Sequence, residues 1–271
     1  MKPNIKLATF LLLPALVLLV GCNLGPWSEG SFHRDLQVNG TVDLQLQAGA
    51  GRITVHTGEV QKVSIDAHIR ARGGWGMSGE AKVRELEKHP PIDQRGNLIV
   101  IGHNQDHNLR HNVRIDYDLI VPPQTRLTTV TGAGNQRIQG IQLGVDARSG
   151  AGNITVEQCT SDVRLETGAG SIDVRDMQGA LDLASGAGTV NVRGTPKHDW
   201  RVRVGAGSIH LKVPRASSFD LDAQSGFGSV SVASGLKVDG EVSSRRVQGK
   251  VGNGGPAVDL NSGAGSISID E

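Results

Sequence analysis

The sequence has few aromatic residues and almost no cysteine, and both shortages limit the kind of protein it encodes. Aromatic side chains make up only 3% of its 271 residues. A core built mainly on Phe, Tyr and Trp is therefore excluded, and Val, Ile and Leu must supply the buried area. The two cysteines are Cys22 and Cys159. If Cys22 is modified, as argued below, Cys159 has no partner for an internal disulfide.

Charge of one sign is also missing, as is any long apolar run. Lys and Arg total 28 against 27 for Asp and Glu, a net charge of +1. This balance gives no electrostatic case for nucleic acid, which needs a basic surface. The apolar stretch 11–20 is short for a membrane span, which needs about 20 residues.

The first 21 residues are typical of a secretion signal. Lys2 and Lys6 give the positive region, the apolar stretch follows, and Leu19-Val20-Gly21-Cys22 resembles the lipobox of bacterial lipoproteins. The resemblance implies cleavage after residue 21 and lipid attachment to Cys22. We therefore predict a signal peptide at 1–21, a membrane anchor at Cys22 and a tether at 22–35.

The predicted anchor also indicates where the protein resides. Two or more acyl chains on one residue hold a protein stably on a membrane, so we expect a lipid-anchored protein of the cell envelope. In Gram-negative lipoproteins an Asp after the cysteine commonly signals inner-membrane retention. Asn23 occupies that position here, which favours the outer membrane if the organism is Gram-negative.

An internal repeat dominates the rest of the chain. The tripeptide Gly-Ala-Gly recurs at steps of 18 residues from residue 132 and then at a step of 19, with a last copy near the C-terminus. A single copy begins at Gly49, and Gly226-Phe227-Gly228 is a variant. The glycines expected to form turns are Gly132, Gly134, Gly150, Gly152, Gly168, Gly170, Gly186, Gly188, Gly205, Gly207, Gly263 and Gly265.

Apolar and polar residues alternate on both sides of each tripeptide. Val163-Arg164-Leu165 precedes one copy and Ile172-Asp173-Val174 follows it. Period-two alternation indicates strands with one buried face, so each unit holds two short strands. One unit is too small to bury its apolar face, but stacked units form a continuous core. The pattern predicts an all-β, single-stranded right-handed β-solenoid with coils of about 18 residues.

The isolated Gly-Ala-Gly copy predicts a first coil at 36–58, separated from the regular coils at 127–271 by an insertion at 59–126. The insertion contains a strand, a short helix over Ser78–Lys88 that ends before Pro90, and two further strands. We expect it to cover the N-terminal end of the stack, because solenoid ends must be covered to stay soluble. Residues 36–271 thus form one domain.

The lipobox, the first coil, the insertion and the Gly-Ala-Gly coils together resemble the bacterial putative-adhesin family of β-strand-repeat lipoproteins, a family built on a domain of unknown function. The likeness covers about 36–271. It implies the solenoid fold and, through the family name, adhesion. Some relatives are similar to envelope-stress proteins of Gram-positive bacteria. The family implies no catalytic residues.

Two groups of polar residues could be sites. His103, His107 and His111 are spaced four apart and are weak candidates for a metal site, but a solvated hairpin loop between strands is favoured. The aspartates that calcium-binding repeats need are missing after the glycines, so no cofactor is expected.

A hydroxyl residue also precedes most glycine turns. This row either satisfies turn backbone groups or binds a polymer; the residues are Thr131, Ser149, Thr167, Ser185, Ser225 and Ser262.

These observations favour a non-catalytic binding or scaffold module that contacts an unidentified envelope protein or glycan. One alternative is an envelope-stress sensing or signalling component. A second is a carbohydrate-active β-helix enzyme, although Asp182 has no acidic neighbour one coil away in the same column. The final coil, 258–271, is expected to be an open edge that could support self-association by strand addition.

Overall fold

The computed structural model describes residues 26–74, 76–102, 109 and 111–271. No helix in this part of the chain is long and apolar enough to cross a membrane. The elements before the regular coils are β1 (Ser28–Gln37), β2 (Val42–Ala50), β3 (Ile53–Thr57), β4 (Lys62–Ala71), α1 (Gly79–Lys88), β5 (Ile92–Arg95), β6 (Leu98–Ile101) and β7 (Val113–Val121). The elements that follow are β8 (Thr125–Ala133), β9 (Gln136–Gln139), β10 (Gly144–Ala151), β11 (Ile154–Glu157), β12 (Val163–Ala169), β13 (Ile172–Met177), β14 (Leu181–Ala187), β15 (Val190–Gly194), β16 (Trp200–Ala206), β17 (Ile209–Lys212), β18 (Phe219–Phe227), β19 (Val230–Val232), β20 (Val238–Val242), β21 (Arg246–Val251), β22 (Ala257–Ala264) and β23 (Ile267–Asp270).

Each repeat forms one coil that gives a longer strand to one sheet and a shorter strand to a facing sheet. Sheet A has the order β1-β4-β7-β3-β9-β11-β13-β15-β17-β23-β19, and sheet B has the order β20-β21-β18-β22-β16-β14-β12-β10-β8-β2-β6-β5. Neighbouring coils pair in parallel. Numbered by position in the stack, the eight coils are β2–β3, β8–β9, β10–β11, β12–β13, β14–β15, β16–β17, β22–β23 and β18–β19.

The core lies between the two sheets and consists of aliphatic ladders. Ile172 is fully buried, with Ile154 and Val190 beside it in the neighbouring coils. Asp173 points outward from the same strand. The predicted strand faces are confirmed, and so is an all-β repeat fold.

Glycine is required at the corners because neighbouring coils pass so close to one another. Gly170 has φ +144°, and a Cβ there would lie 2.2 Å from the carbonyl oxygen of Gly152 in the coil before it. Gly168 has an ordinary φ, but its Cβ would lie 2.5 Å from the carbonyl oxygen of Gly150. The first glycine of each tripeptide therefore leaves room for the backbone of the neighbouring coil. The last glycine does the same, and it also adopts the positive φ that the corner requires.

The insertion lengthens both sheets beyond the first coil. Strands β4 and β7 continue sheet A, whereas β6 and β5 continue sheet B. Helix α1 packs on β1 and β4. The Ser78 hydroxyl accepts a hydrogen bond from the Ala81 N–H at 3.1 Å, which confirms the predicted N-cap. The N-terminal end of the stack is thus covered.

The tether prediction for 22–35 is wrong over its second half. Strand β1 begins at Ser28 and pairs antiparallel with β4 along its length. Phe32 is buried, and its ring lies edge-on to Tyr117 with the centroids 6.4 Å apart. Most other side chains of the segment's described residues are exposed, which explains why the sequence shows no alternation there. Backbone pairing, the aromatic contact, helix α1 and the His33–Asp66 contact hold the strand.

The hairpin predicted around the three histidines is also wrong. Strand β6 belongs to sheet B and pairs with β2 and β5, whereas β7 belongs to sheet A and pairs with β3 and β4. The segment between them therefore connects two sheets. Sequence alternation identifies both strands but carries no information about which sheet each one joins.

The C-terminal coil is not the open edge predicted from its position in the sequence. Strand β22 pairs with β16 on one side and β18 on the other, and β23 likewise lies between β17 and β19. The outer edge of β18 is occupied by the antiparallel strand β21. Strand addition to 258–271 is therefore ruled out, because both edges of that coil are already paired.

Candidate functional site

A groove of about 610 Å³ runs across the outer face of sheet B over the second to seventh coils. The depth of the groove is set by one residue in each coil, the residue just before the first buried position of the sheet B strand. This residue is large in one coil and small in the next. In stacking order these residues are Arg126, Gly144, Asp162, Ala180, Asp199 and Ala257. The small residue in every second coil leaves a space, and the large residues of the adjacent coils border that space.

Two of the large residues in this column also fix the backbone. The Asp162 carboxylate accepts a hydrogen bond from the Ala180 N–H at 3.0 Å, and the Asp199 carboxylate accepts one from the Ala257 N–H at 2.9 Å. Each acid thus satisfies a donor in the following coil. These two carboxylates are structural caps, which keeps the groove wall rigid.

The neighbouring column of outward residues alternates in charge. In register from the third to the seventh coil it contains Asp146, Arg164, Asp182, Arg201 and Asp259. Adjacent members are one strand apart, about 4.8 Å. Arg201 lies 3.8 Å from Asp259, and Asp182 lies 2.8 Å from Arg203 on the next coil. Opposite charges therefore support one another from coil to coil.

Two arginines of the groove have no such partner. In the part of the chain that the structure describes, neither Arg126 nor Arg164 makes an ion pair or a side-chain hydrogen bond, and both are exposed. The three acids of the charged column, Asp146, Asp182 and Asp259, also line the groove. Asp146 and Asp182 lie on either side of Arg164. The groove therefore presents free guanidinium groups next to carboxylates, an arrangement suited to a ligand that carries both donors and acceptors.

The carboxylates of the groove are separated rather than paired at its centre. Asp182 stands between Arg164 and Arg201, as predicted from the sequence. At the far end Asp259 faces Asp222 of the eighth coil. Asp222 lies 3.2 Å from Arg246, so each acid there has its own arginine.

The hydroxyl row lies inside the solenoid, which confirms its predicted role at the turns and removes it as a polymer-binding surface. Thr167, for example, donates to the Gly152 carbonyl at 3.0 Å. All six hydroxyl residues are buried. Five donate to the last corner glycine of the preceding coil in the stack, and Thr131 has no partner among the described residues; the five are Ser149, Thr167, Ser185, Ser225 and Ser262.

The remaining sequence candidates are the three histidines and Cys159. His103 and His107 lie outside the described residues, and the backbone carbonyl of His111 accepts a hydrogen bond from Lys82 at 2.6 Å. No cluster of three or more metal-ligating side chains occurs among the residues described. Cys159 is fully buried, and burial raises the pKa of its thiol to about 11, so it is a poor nucleophile.

Sequence reasoning missed the groove, although a signal for it exists. Aligning the 18-residue units shows that the position before each buried strand start alternates between large and small residues, as at Asp162 and Ala180. The signal has a period of two coils, which a search for one-coil repeats does not detect. Trp200, isolated in the sequence, is buried beneath the groove and donates its indole N–H to the Gly179 carbonyl.

One family model and several solved structures are similar to this chain. The model of the Toastrack DUF4097 family matches residues 124–270. A putative cell adhesion protein from Clostridium sporogenes ATCC 15579 is 14% identical, with a TM-score of 0.39, over 90% of this chain and 99% of its own. A putative adhesin from Bacteroides fragilis NCTC 9343 is 13% identical, with a TM-score of 0.40, over 90% of this chain and 97% of its own.

A putative lipid binding protein from Parabacteroides distasonis ATCC 8503 is more distant, with 7% identity and a TM-score of 0.24 over 88% of this chain and 96% of its own. No curated protein matches the chain. The family match spans more than half of the sequence and coincides with the coils from β8 to β23. The chain therefore belongs to the Toastrack DUF4097 family, in agreement with the resemblance to putative adhesins.

Proposed function

We propose that the protein is a non-catalytic, lipid-anchored binding module of the cell envelope, which contacts a protein or glycan through the groove on sheet B. The observation that carries this proposal is the groove itself. It crosses six coils, and its charges alternate at the spacing of the coils. The unpaired guanidinium groups of Arg126 and Arg164 are the contacts we expect to be strongest, since charge-assisted hydrogen bonds are about twice as strong as neutral ones.

The fold supports a binding role because its surface is preorganised. The groove lies on paired strands rather than on loops, so binding orders few side chains and little backbone. The proposal includes right-handed winding of the coils, as parallel crossover connections favour. It also includes attachment to the envelope through Cys22, with the outer membrane favoured in a Gram-negative cell.

The groove is tested by capture from crosslinked envelopes with the full-length lipidated protein as bait. The test variant carries Arg126→Asp and Arg164→Asp. The control carries Arg84→Asp and Arg95→Asp, which reverse two exposed charges on the N-terminal cap. We expect the groove variant to lose a partner that the wild type and control both retain, with unchanged melting. Equal capture by all three proteins would refute the groove as the binding surface.

The anchor is tested separately with Cys22→Ala. This variant should lack lipid and should be released from membranes by a carbonate wash, because the acyl chains supply the membrane affinity. Retention of the variant in the washed membrane fraction would show that Cys22 is not the anchor. That result would leave the groove proposal intact.

A further inference from the structure

The outer face of sheet A breaks the charge alternation seen on sheet B. At the C-terminal ends of its strands, Arg175, Arg193 and Lys212 follow one another in register on three successive coils. Neighbouring strands are about 4.8 Å apart, and like charges directly opposite one another destabilise a sheet. Where like charges meet on sheet B, at Asp222 and Asp259, each acid has its own arginine. The row on sheet A calls for a comparable counter-charge.

Acids inside the protein do not supply that contact to the middle of the row. Arg175 lies 3.6 Å from Glu157, which also binds Arg137 at 3.0 Å. Among the described residues, Arg193 and Lys212 make no ion pair and no side-chain hydrogen bond, and both side chains are exposed. Arg193 therefore has a cation on both neighbouring coils, whereas Lys212 has Arg193 on one side and faces Asp270 on the other without forming an ion pair.

These two cations also share a concave surface. A groove of about 460 Å³ beside the strand ends is lined by Arg193, Lys212 and Lys197. A second groove of about 330 Å³ continues from the same pair along the strands to Asn191 and His210. Both lie on the face opposite the groove of sheet B, so the two surfaces are separate.

Among the described residues, the acids at the margins of these grooves form no ion pair with Arg193, Lys212 or Lys197. Asp173 accepts a hydrogen bond from the Asn191 amide at 3.1 Å, and Asp270 accepts one from the Ser268 hydroxyl at 2.5 Å. Glu271 is bound by Arg215, which lowers the pKa of its carboxyl group. Asp176 is exposed at the rim.

We propose that Arg193, Lys212 and Lys197 form an anion-binding site that accepts the phosphate or carboxylate groups of an extended anionic glycan. A planar guanidinium can bind two oxygens of one anionic group, and the ammonium groups add charge without fixed geometry. Asn191 and His210 supply polar contacts along the second groove. An elongated ligand fits the two grooves better than a compact one because they meet at Arg193 and Lys212.

The site is tested by following backbone amide shifts of the wild-type protein during titration with a hexauronate oligosaccharide and, separately, with inorganic pyrophosphate. Shifts confined to the amides of β15 and β17 and the turns after them support the proposal. A response to the oligosaccharide alone identifies carboxylate as the recognised group, and a response to pyrophosphate alone identifies phosphate. Binding of neither probe, or shifts centred on sheet B, would overturn the proposal.

The matched variants are Arg193→Ala/Lys212→Ala and, as control, Arg245→Ala/Lys237→Ala. Each pair removes one exposed arginine and one exposed lysine that make no ion pair or side-chain hydrogen bond among the described residues. We expect the first pair to weaken binding by about tenfold or more and the control to change it less than about twofold. Equal losses would show non-specific attraction, and loss with the control alone would place the anion elsewhere; either result refutes the site.

A second readout does not depend on the ligand. At low ionic strength without anions, Arg193→Gln should raise the melting temperature, because it relieves repulsion within the row. The gain should shrink when salt screens the charges. A variant that melts at the wild-type temperature or lower under these conditions would contradict the unpaired-charge argument.

Discussion

Removing one hydroxyl from the interior row should destabilise the solenoid without changing its packing. Thr167→Val replaces a hydroxyl with a methyl group of similar size at a position that is 1% exposed. The Gly152 carbonyl then loses the donor that lies 3.0 Å away. Loss of this part-buried hydrogen bond costs about 1–2 kcal/mol, whereas the added methyl group returns up to about 0.8 kcal/mol. We expect a net loss of about 1 kcal/mol in the free energy of unfolding.

The chain offers its own reverse control at Val204. This valine occupies the hydroxyl position of the sixth coil, in register with Ser185 and Ser262. No hydrogen bond to the Gly188 carbonyl occurs in the described part of the chain. Val204→Thr supplies a donor there at the loss of one buried methyl group, so the same two contributions apply with opposite signs and the variant should gain up to about 1 kcal/mol.

The two variants are compared by chemical denaturation followed by circular dichroism, and by melting temperature. For a domain of this size, 1 kcal/mol corresponds to roughly 2–4 °C. The Thr167 variant should therefore melt roughly 2–4 °C below the wild type, while the Val204 variant should melt at or above the wild-type temperature. Equal destabilisation by both substitutions would show that packing, and not the hydrogen bond, holds the row in place.

Three further predictions concern the strand faces, the glycine corners and the N-terminal strand. Ile172→Asp buries a charge at a fully buried position and should cost several kcal/mol, whereas Asp173→Ser should cost less than about 0.5 kcal/mol; equal melting shifts would contradict the faces. Gly132→Ala should be strongly destabilising because its Cβ would lie 2.5 Å from the Gly49 carbonyl oxygen, whereas Gly49→Ala meets nothing within 4 Å and should melt like the wild type; a Gly132→Ala protein of normal stability would rule out the close stacking. The hydrogen bond from His33 to Asp66 raises the pKa of the imidazole above 6.5, so its contribution is present below that pH and is lost as pH rises through the higher folded-state pKa. The protection of the β1 amides against hydrogen exchange, corrected for the intrinsic pH dependence of exchange, should fall over that range in the wild type but not in His33→Gln, and an identical pH profile in both would refute the link.

The repeat spacing and the alternation determined the fold class, since both follow from local chemistry. Glycine at the corners is dictated by steric contact between neighbouring coils, and Ile172 and Asp173 are assigned to opposite faces by the two-residue period of a strand. The helix cap at Ser78 is also local. Those features were predicted correctly because each depends on a few consecutive residues.

The order of the coils in space was decided only by the tertiary structure. The seventh and eighth coils carry the same pattern, so their sequences do not specify which one stacks on β16 and β17. The choice follows from β21, which pairs antiparallel with β18 and leaves that strand only one free edge. The C-terminal coil, with both edges available, fits between.

The charged surfaces depend on the same long-range register. Arg193 and Lys212 are 19 residues apart in the sequence, and Arg201 and Asp259 are 58 apart. Stacking places the two members of each pair on neighbouring strands. Arg193 and Lys212 then repel each other, whereas Arg201 and Asp259 attract each other. The sequence by itself supplied the strands and their outward residues. Only the pairing of distant strands decided which outward charges meet, because that pairing is set by the whole stack.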